Sequence, residues 1–91
     1  MLRKEIHSDL PIPPGEYLAE IIADLGITET ELAQRINEPL SEVRALLMGN
    51  KTITPLIALY LERAVDVSQH IWLELETEYR ATLAYNSSSA M

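Results

Sequence analysis

The sequence predicts an all-α domain of about five helices, and three observations predict it. Apolar residues recur at helical spacing along most of the chain. No stretch alternates apolar and polar residues in the way a half-buried strand would. Glycine, proline, asparagine and hydroxyl residues fall between the periodic segments, where helices stop and start. With 91 residues, 47% of them apolar, the chain has material for one compact core and is too short for two. The expected divisions are an irregular arm over residues 1–13, a helical domain over 14–85 and a flexible polar tail over 86–91.

Pro11, Pro13 and Pro14 discourage helix in the arm and favour extended chain. From Pro14 onward Leu18, Ile21, Ile22 and Leu25 recur at i, i+3, i+4 and i+7, and Gly26 supplies a left-handed stop. Thr28 and Glu31 form a capping box for a second helix, with Ile27 placed to staple onto Leu32. Leu32, Ala33 and Ile36 are its buried stripe. Asn37 tolerates the left-handed conformation of a sharp turn, and Pro39 confirms the break. Ser41 is the expected cap of a third helix that buries Val43, Leu46 and Leu47 and ends at Gly49-Asn50.

Thr54-Pro55 is a cap followed by proline in the first turn, where its missing N–H costs nothing. The fourth helix, about Pro55 to Val65, is apolar around most of its circumference, so burial on more than one side is expected. Ser68 caps a fifth helix, with Val67 able to staple onto Trp72. Ile71, Trp72, Leu75 and Tyr79 form its stripe, continuing weakly to Leu83.

Composition excludes several functions. There is no cysteine, hence neither a disulfide nor a thiolate metal site. No apolar run approaches the roughly 20 residues of a membrane helix. The charged start lacks a signal peptide's apolar stretch and cleavage site, so a cytosolic location is expected. His70 and Glu74 stand one turn apart, but no further histidine or cysteine is positioned to complete a metal site, so they read as a surface pair. His7 reads as a solvated residue of the arm. Glu74, Glu76 and Glu78 have no acid–base partner and read as a solvated face. Glu16, Glu20 and Asp24 form a stripe on the first helix that reads either as a wet face or as an acidic strip toward a basic partner. No phosphate loop, nucleophile triad or zinc-protease motif is present. Neither catalysis nor a cofactor is expected.

Charge is less simple. Fourteen acids against seven bases give a net of −7, where nucleic-acid binders usually show a basic footprint. Residues 28–51 are the least acidic part, with Arg35, Arg44 and Lys51 against Glu29, Glu31, Glu38 and Glu42.

Residues 29–48 carry the most information. A helix-turn-helix needs small and apolar side chains at fixed offsets on two helices that meet across a tight turn. Leu32, Ala33, Ile36, Val43 and Leu46 meet that need, and the small Ala33 permits close approach. Glu38 stands where an apolar residue is usual, and Asn37 where glycine is commoner; any short helical hairpin is the alternative.

The chain resembles the HigA/VapI-type antitoxins, within the phage-repressor-like (XRE) helix-turn-helix class. Three stretches carry the resemblance: Pro14-Gly15-Glu16-Tyr17-Leu18; Glu31-Leu32-Ala33 through Gly49-Asn50-Lys51 with Ile53-Thr54-Pro55; and Ile71-Trp72-Leu73-Glu74-Leu75-Glu76. They span about residues 11–81. The resemblance implies a lambda-repressor-like fold with the helix-turn-helix at helices two and three. It also implies a homodimer that binds its own operator DNA through the third helix and neutralises a cognate RelE-like ribonuclease toxin. Such toxins are typically basic, which suits an acidic chain.

On that reading the groove-facing side chains are Leu40, Ser41, Glu42, Arg44, Ala45 and Met48. Arg44 is the expected base reader, because a guanidinium grips guanine bidentately. Thr30 and Arg35, with Asn50, Lys51 and Thr52 after the third helix, are the expected phosphate contacts. Leu56, Leu59, Tyr60, Trp72, Leu75, Tyr79 and Leu83 are the expected dimer surface, since helices four and five carry more apolar surface than one subunit can cover. A stand-alone transcriptional regulator, and a protein-interaction module whose DNA affinity has degenerated, are the alternatives. Glu38 and Glu42 favour the last.

Overall fold

The computed structural model describes residues 11–89. The first ten residues of the expected arm, His7 among them, and the last two of the expected tail lie outside the described residues. Five helices follow in order: α1 (Pro14–Leu25), α2 (Glu29–Ile36), α3 (Leu40–Leu47), α4 (Pro55–Val65) and α5 (Gln69–Ser89). No strand occurs among the described residues.

Local signals set most boundaries. Gly26 ends α1 at φ 74°. The Thr28 hydroxyl accepts the Glu31 amide while the Glu31 carboxylate accepts the Thr28 amide, completing the capping box. Asn37 ends α2 at φ 59°. The Thr54 hydroxyl caps α4 by accepting the Ile57 amide, and Asp66 ends it in the left-handed region. The Ser68 hydroxyl accepts the His70 amide at the start of α5.

Two boundaries differ from expectation. Ser41 is not a cap: α3 begins at Leu40, with Pro39 at the capping position and no side-chain cap bond. Proline's fixed φ, −63° here, sets the entry without one. Nor does helix stop before residue 86. It continues to Ser89, because Asn86 and the serines after it are weak helix formers but not breakers, and neither glycine nor proline intervenes.

The core is one cluster drawn from every helix: Leu18 and Ile22 of α1; Leu32, Ala33 and Ile36 of α2; Val43 and Leu46 of α3; Ile57, Ala58, Leu61 and Val65 of α4; Trp72 of α5. Each fully buried Leu, Ile or Val contributes about 1.5–3 kcal/mol. Trp72 is completely buried. Its indole N–H has no acceptor among the described residues, a penalty of about 1–3 kcal/mol that the buried ring area must exceed.

Two stripe residues and one acid fall elsewhere. Leu25 and Ile71 are about half exposed. Glu76, expected on a solvated face, is buried. Its carboxylate accepts the Ile53 amide and pairs with Arg80, which compensates the desolvation of the charge.

Candidate nucleic-acid interface

The α2–α3 pair is a helix-turn-helix held from three sides. Asn37 reverses the chain, and the Glu38 amide donates to the Ala33 carbonyl at 3.0 Å, closing the turn. Ala33, Val43 and Leu46 are all buried between the two helices and the core. From the third side, the first turn of α1 abuts the end of α3. A Cβ on Gly15 would lie 2.1 Å from the Leu46 carbonyl oxygen and 2.7 Å from that of Leu47. Glycine is therefore required by contact. Gly49 (φ 83°) closes the end of α3 against Pro13 in the same way: a Cβ there would meet the proline ring at 2.7 Å.

The other side of α3 is open. Ser41, Arg44 and Met48 are exposed, Met48 by 70%. Leu40, Glu42 and Ala45, expected to be exposed with them, are only half-buried flanks of that face. Thr30, Asn50 and Thr52 are exposed, while Lys51 is half-buried.

The cations of the surface are paired. Arg44 Nε donates to Glu29 Oε1 at 3.0 Å, and Lys51 Nζ lies 2.9 Å from Glu42 Oε1. The Lys51 ammonium is held above its ordinary pKa, first by that hydrogen bond to Glu42, which outweighs the opposing desolvation, and then by the charges of Glu42 and Glu38. Arg35 reaches toward α4. Its Nη1 donates to the Ala64 carbonyl at 3.1 Å, where a cation also complements the C-terminal end of α4. That contact ties α2 to α4 and engages one nitrogen of a guanidinium that stays exposed.

Two residues that sequence reasoning passed over join the surface. Glu29 starts α2 and reaches Arg44 across 15 positions of sequence. Arg80 of α5 donates through Nη2 to the Thr52 hydroxyl at 3.2 Å, so α5 supports the segment after α3. The charges were visible in the sequence, but no local pattern says which meet. His70 and Glu74 form the expected exposed pair, 3.3 Å apart. No cluster able to hold a metal exists among the described residues, and none of their helices is long and apolar enough to cross a membrane.

Among the residues expected at a dimer surface, Trp72 is excluded, because a side chain sealed inside its own subunit has no area left to offer. Leu56 and Leu83 are exposed, and Leu59, Tyr60, Leu75 and Tyr79 are half-buried. Tyr85, 68% exposed, adds to the apolar surface of α5.

No protein-family model matches the chain, and no curated protein matches it in sequence. Solved structures do. An addiction-module antidote protein of the HigA family from Coxiella burnetii is 33% identical and superimposes with a TM-score of 0.82, each chain covered over 88% of its length. The chain belongs to the HigA family of antitoxins. Pseudomonas aeruginosa HigA, solved with the higBA promoter, is 28% identical with a TM-score of 0.81 over 89% of both chains. A further P. aeruginosa structure, of a protein in complex with its 28-base-pair operator DNA, is 27% identical with a TM-score of 0.81, covering 89% of this chain and 90% of that one. The helix-turn-helix assigned from residues 29–48 is thus the HigA-family fold, and the Pro14-Gly15 opening has its reason in the contact of α1 with α3.

Proposed function

We propose that this HigA-family chain binds operator DNA as a dimer, with α3 in the major groove, represses its own operon and neutralises a basic, RelE-like ribonuclease toxin. One observation carries the reading: relatives that match this fold along nearly its whole length were solved on promoter or operator DNA. The open face of α3 supports it, since Ser41, Arg44 and Met48 lie free of the core. Arg44 reads a base, and Thr30, Asn50, Lys51 and Thr52 approach phosphates. The dimer joins through the apolar surface of α4 and α5 around Leu56, Leu83 and Tyr85. The net charge of −7 suits a basic toxin by long-range attraction.

A second reading has a specific observation in its favour. Arg44 and Lys51 are each neutralised by a carboxylate, as expected of a protein-interaction module whose DNA affinity has degenerated. A gel shift with the region upstream of the gene separates the two. Operator binding gives a shift that weakens steeply with added salt and is lost in Arg44→Ala. No shift at low salt leaves the interaction module. Co-purification from the native operon tests the toxin, and the absence of any bound small basic protein counts against that part.

A further inference from the structure

Arg44 does not stand alone on the open face of α3. Glu29, the first residue of α2, receives its Nε–H at 3.0 Å, and the two side chains are 61% and 45% exposed respectively. This is the only hydrogen bond of the Arg44 guanidinium with the described residues. A guanidinium carries five N–H donors in a planar fork. Engaging Nε leaves both terminal nitrogens free, the pair that can grip guanine O6 and N7 side by side. An unrestrained arginine must freeze a long side chain to make that contact; this one is already anchored at the base of its fork. The backbone that carries the anchor is fixed, since Glu29 lies within the capping box of α2, between Thr28 and Glu31.

We propose that Glu29 is a positioning residue for base readout, holding Arg44 so that its terminal nitrogens face one guanine. This rests on the operator-binding reading. The arrangement has a second consequence. A carboxylate beside the guanidinium cancels much of its attraction for phosphates at long range, so the pair gives up non-specific affinity for any duplex. The short, directional contact to one base survives, because it depends on geometry. Glu29 thus raises the ratio of specific to non-specific binding while lowering non-specific binding itself. The same feature that makes the α3 surface poor in positive charge makes it selective.

The test uses duplexes that the wild-type chain selects from a random-sequence library, with affinities read by fluorescence anisotropy at fixed salt. The selected duplex, versions with each G·C pair replaced in turn, and an unrelated duplex are compared for wild type, Arg44→Ala, Glu29→Ala and Glu29→Gln. Arg44→Ala abolishes discrimination at one G·C pair. Glu29→Ala loses about tenfold in discrimination at that same pair, within the range of one bidentate base contact, and binds the unrelated duplex more tightly than wild type. Glu29→Gln, which keeps an acceptor oxygen for Nε, retains most of the discrimination. The proposal is overturned if both Glu29 variants tighten every duplex alike with discrimination intact, which would make Glu29 a repulsive charge and nothing more. It is equally overturned if Glu29→Ala changes neither quantity. Should the wild type enrich no sequence, the operator-binding reading fails and this proposal with it. That outcome appears before any variant is made.

Discussion

The carboxylate of Glu76 accepts the backbone N–H of Ile53 at 3.2 Å in the interior of the domain, and its second oxygen pairs with Arg80 one turn further along α5. Ile53 closes the segment that follows α3, so a helix remote in sequence holds the loop bearing Asn50, Lys51 and Thr52. Removing the carboxylate leaves a buried amide without an acceptor and takes from Arg80 its ion-pair partner. Glu76→Ala is expected to destabilise the domain by about 1.5–3 kcal/mol, the range for a hydrogen bond to a charged group. Glu76→Gln, which retains an acceptor, costs about 1 kcal/mol. Urea unfolding of the two variants measures both. A Glu76→Ala chain as stable as wild type would remove this carboxylate from the account of the fold.

Gly15 gives a prediction of a different kind. The carbonyls of Leu46 and Leu47 occupy the space a Cβ would need, and backbone atoms cannot swing aside as a flexible side chain can. Gly15→Ala must push α1 away from the end of α3, at a cost of about 3 kcal/mol. Gly26 offers the contrast: nothing lies within 4 Å of its hypothetical Cβ, and only the left-handed backbone opposes substitution. Gly26→Ala is expected to cost about 1 kcal/mol. Thermal melts of the two variants should differ accordingly. Equal losses would mean that contact with α3 is not what requires glycine at 15.

These two residues also mark where the sequence was legible. Capping boxes, left-handed stops and proline starts act over a few residues, so Thr28 with Glu31, Gly26, Asn37, Thr54-Pro55 and Ser68 could be read without the fold. The apolar offsets of Leu32, Ala33, Ile36, Val43 and Leu46 identified the helix-turn-helix for the same reason. What escaped depends on partners distant in the chain. Glu76 sits among other acids and reads as solvated until Ile53, 23 positions away, arrives beside it. The tie from Arg35 to the Ala64 carbonyl, 29 positions away, has no local signal either. Trp72 passed for interface because periodicity tells which residues are apolar but not whether the same subunit or another covers them. The Gly15 motif was recognised as a signature, yet its cause lies in α3, some 30 residues on.

Lys51 supplies a test in pH. Its hydrogen bond to Glu42 raises its pKa above the ordinary lysine value of about 10.5. A raised folded-state value means that the stabilisation is fully present below the unfolded pKa and is lost as pH climbs through the higher, folded one. Neutral solutions therefore do not sense it. A carbon-13 NMR titration of the Lys51 side chain should place its midpoint above that of an exposed lysine, and Glu42→Gln should bring the midpoint back down. An unshifted wild-type midpoint would mean that the pair does not persist in solution.

The apolar surface of α4 and α5 makes a prediction about assembly. Leu56 is 60% exposed and Leu83 36% exposed, so charges placed there do not disturb the core of the subunit. The double variant Leu56→Glu, Leu83→Glu should keep its helicity by circular dichroism while light scattering shows one chain mass, where the wild type shows two. A wild-type chain that is monomeric at micromolar concentration would require another explanation for this surface.

Amide NMR mapping tests the role of α3 most directly. Titrating the labelled chain with a duplex from upstream of its gene should shift resonances of residues 29–52, with the Arg44 Nε–H among the largest changes, while the acidic face of Glu16, Glu20 and Asp24 stays still. Shifts confined to α1 or α5, or no shifts at low salt, would contradict the assignment of α3 as the DNA-reading helix.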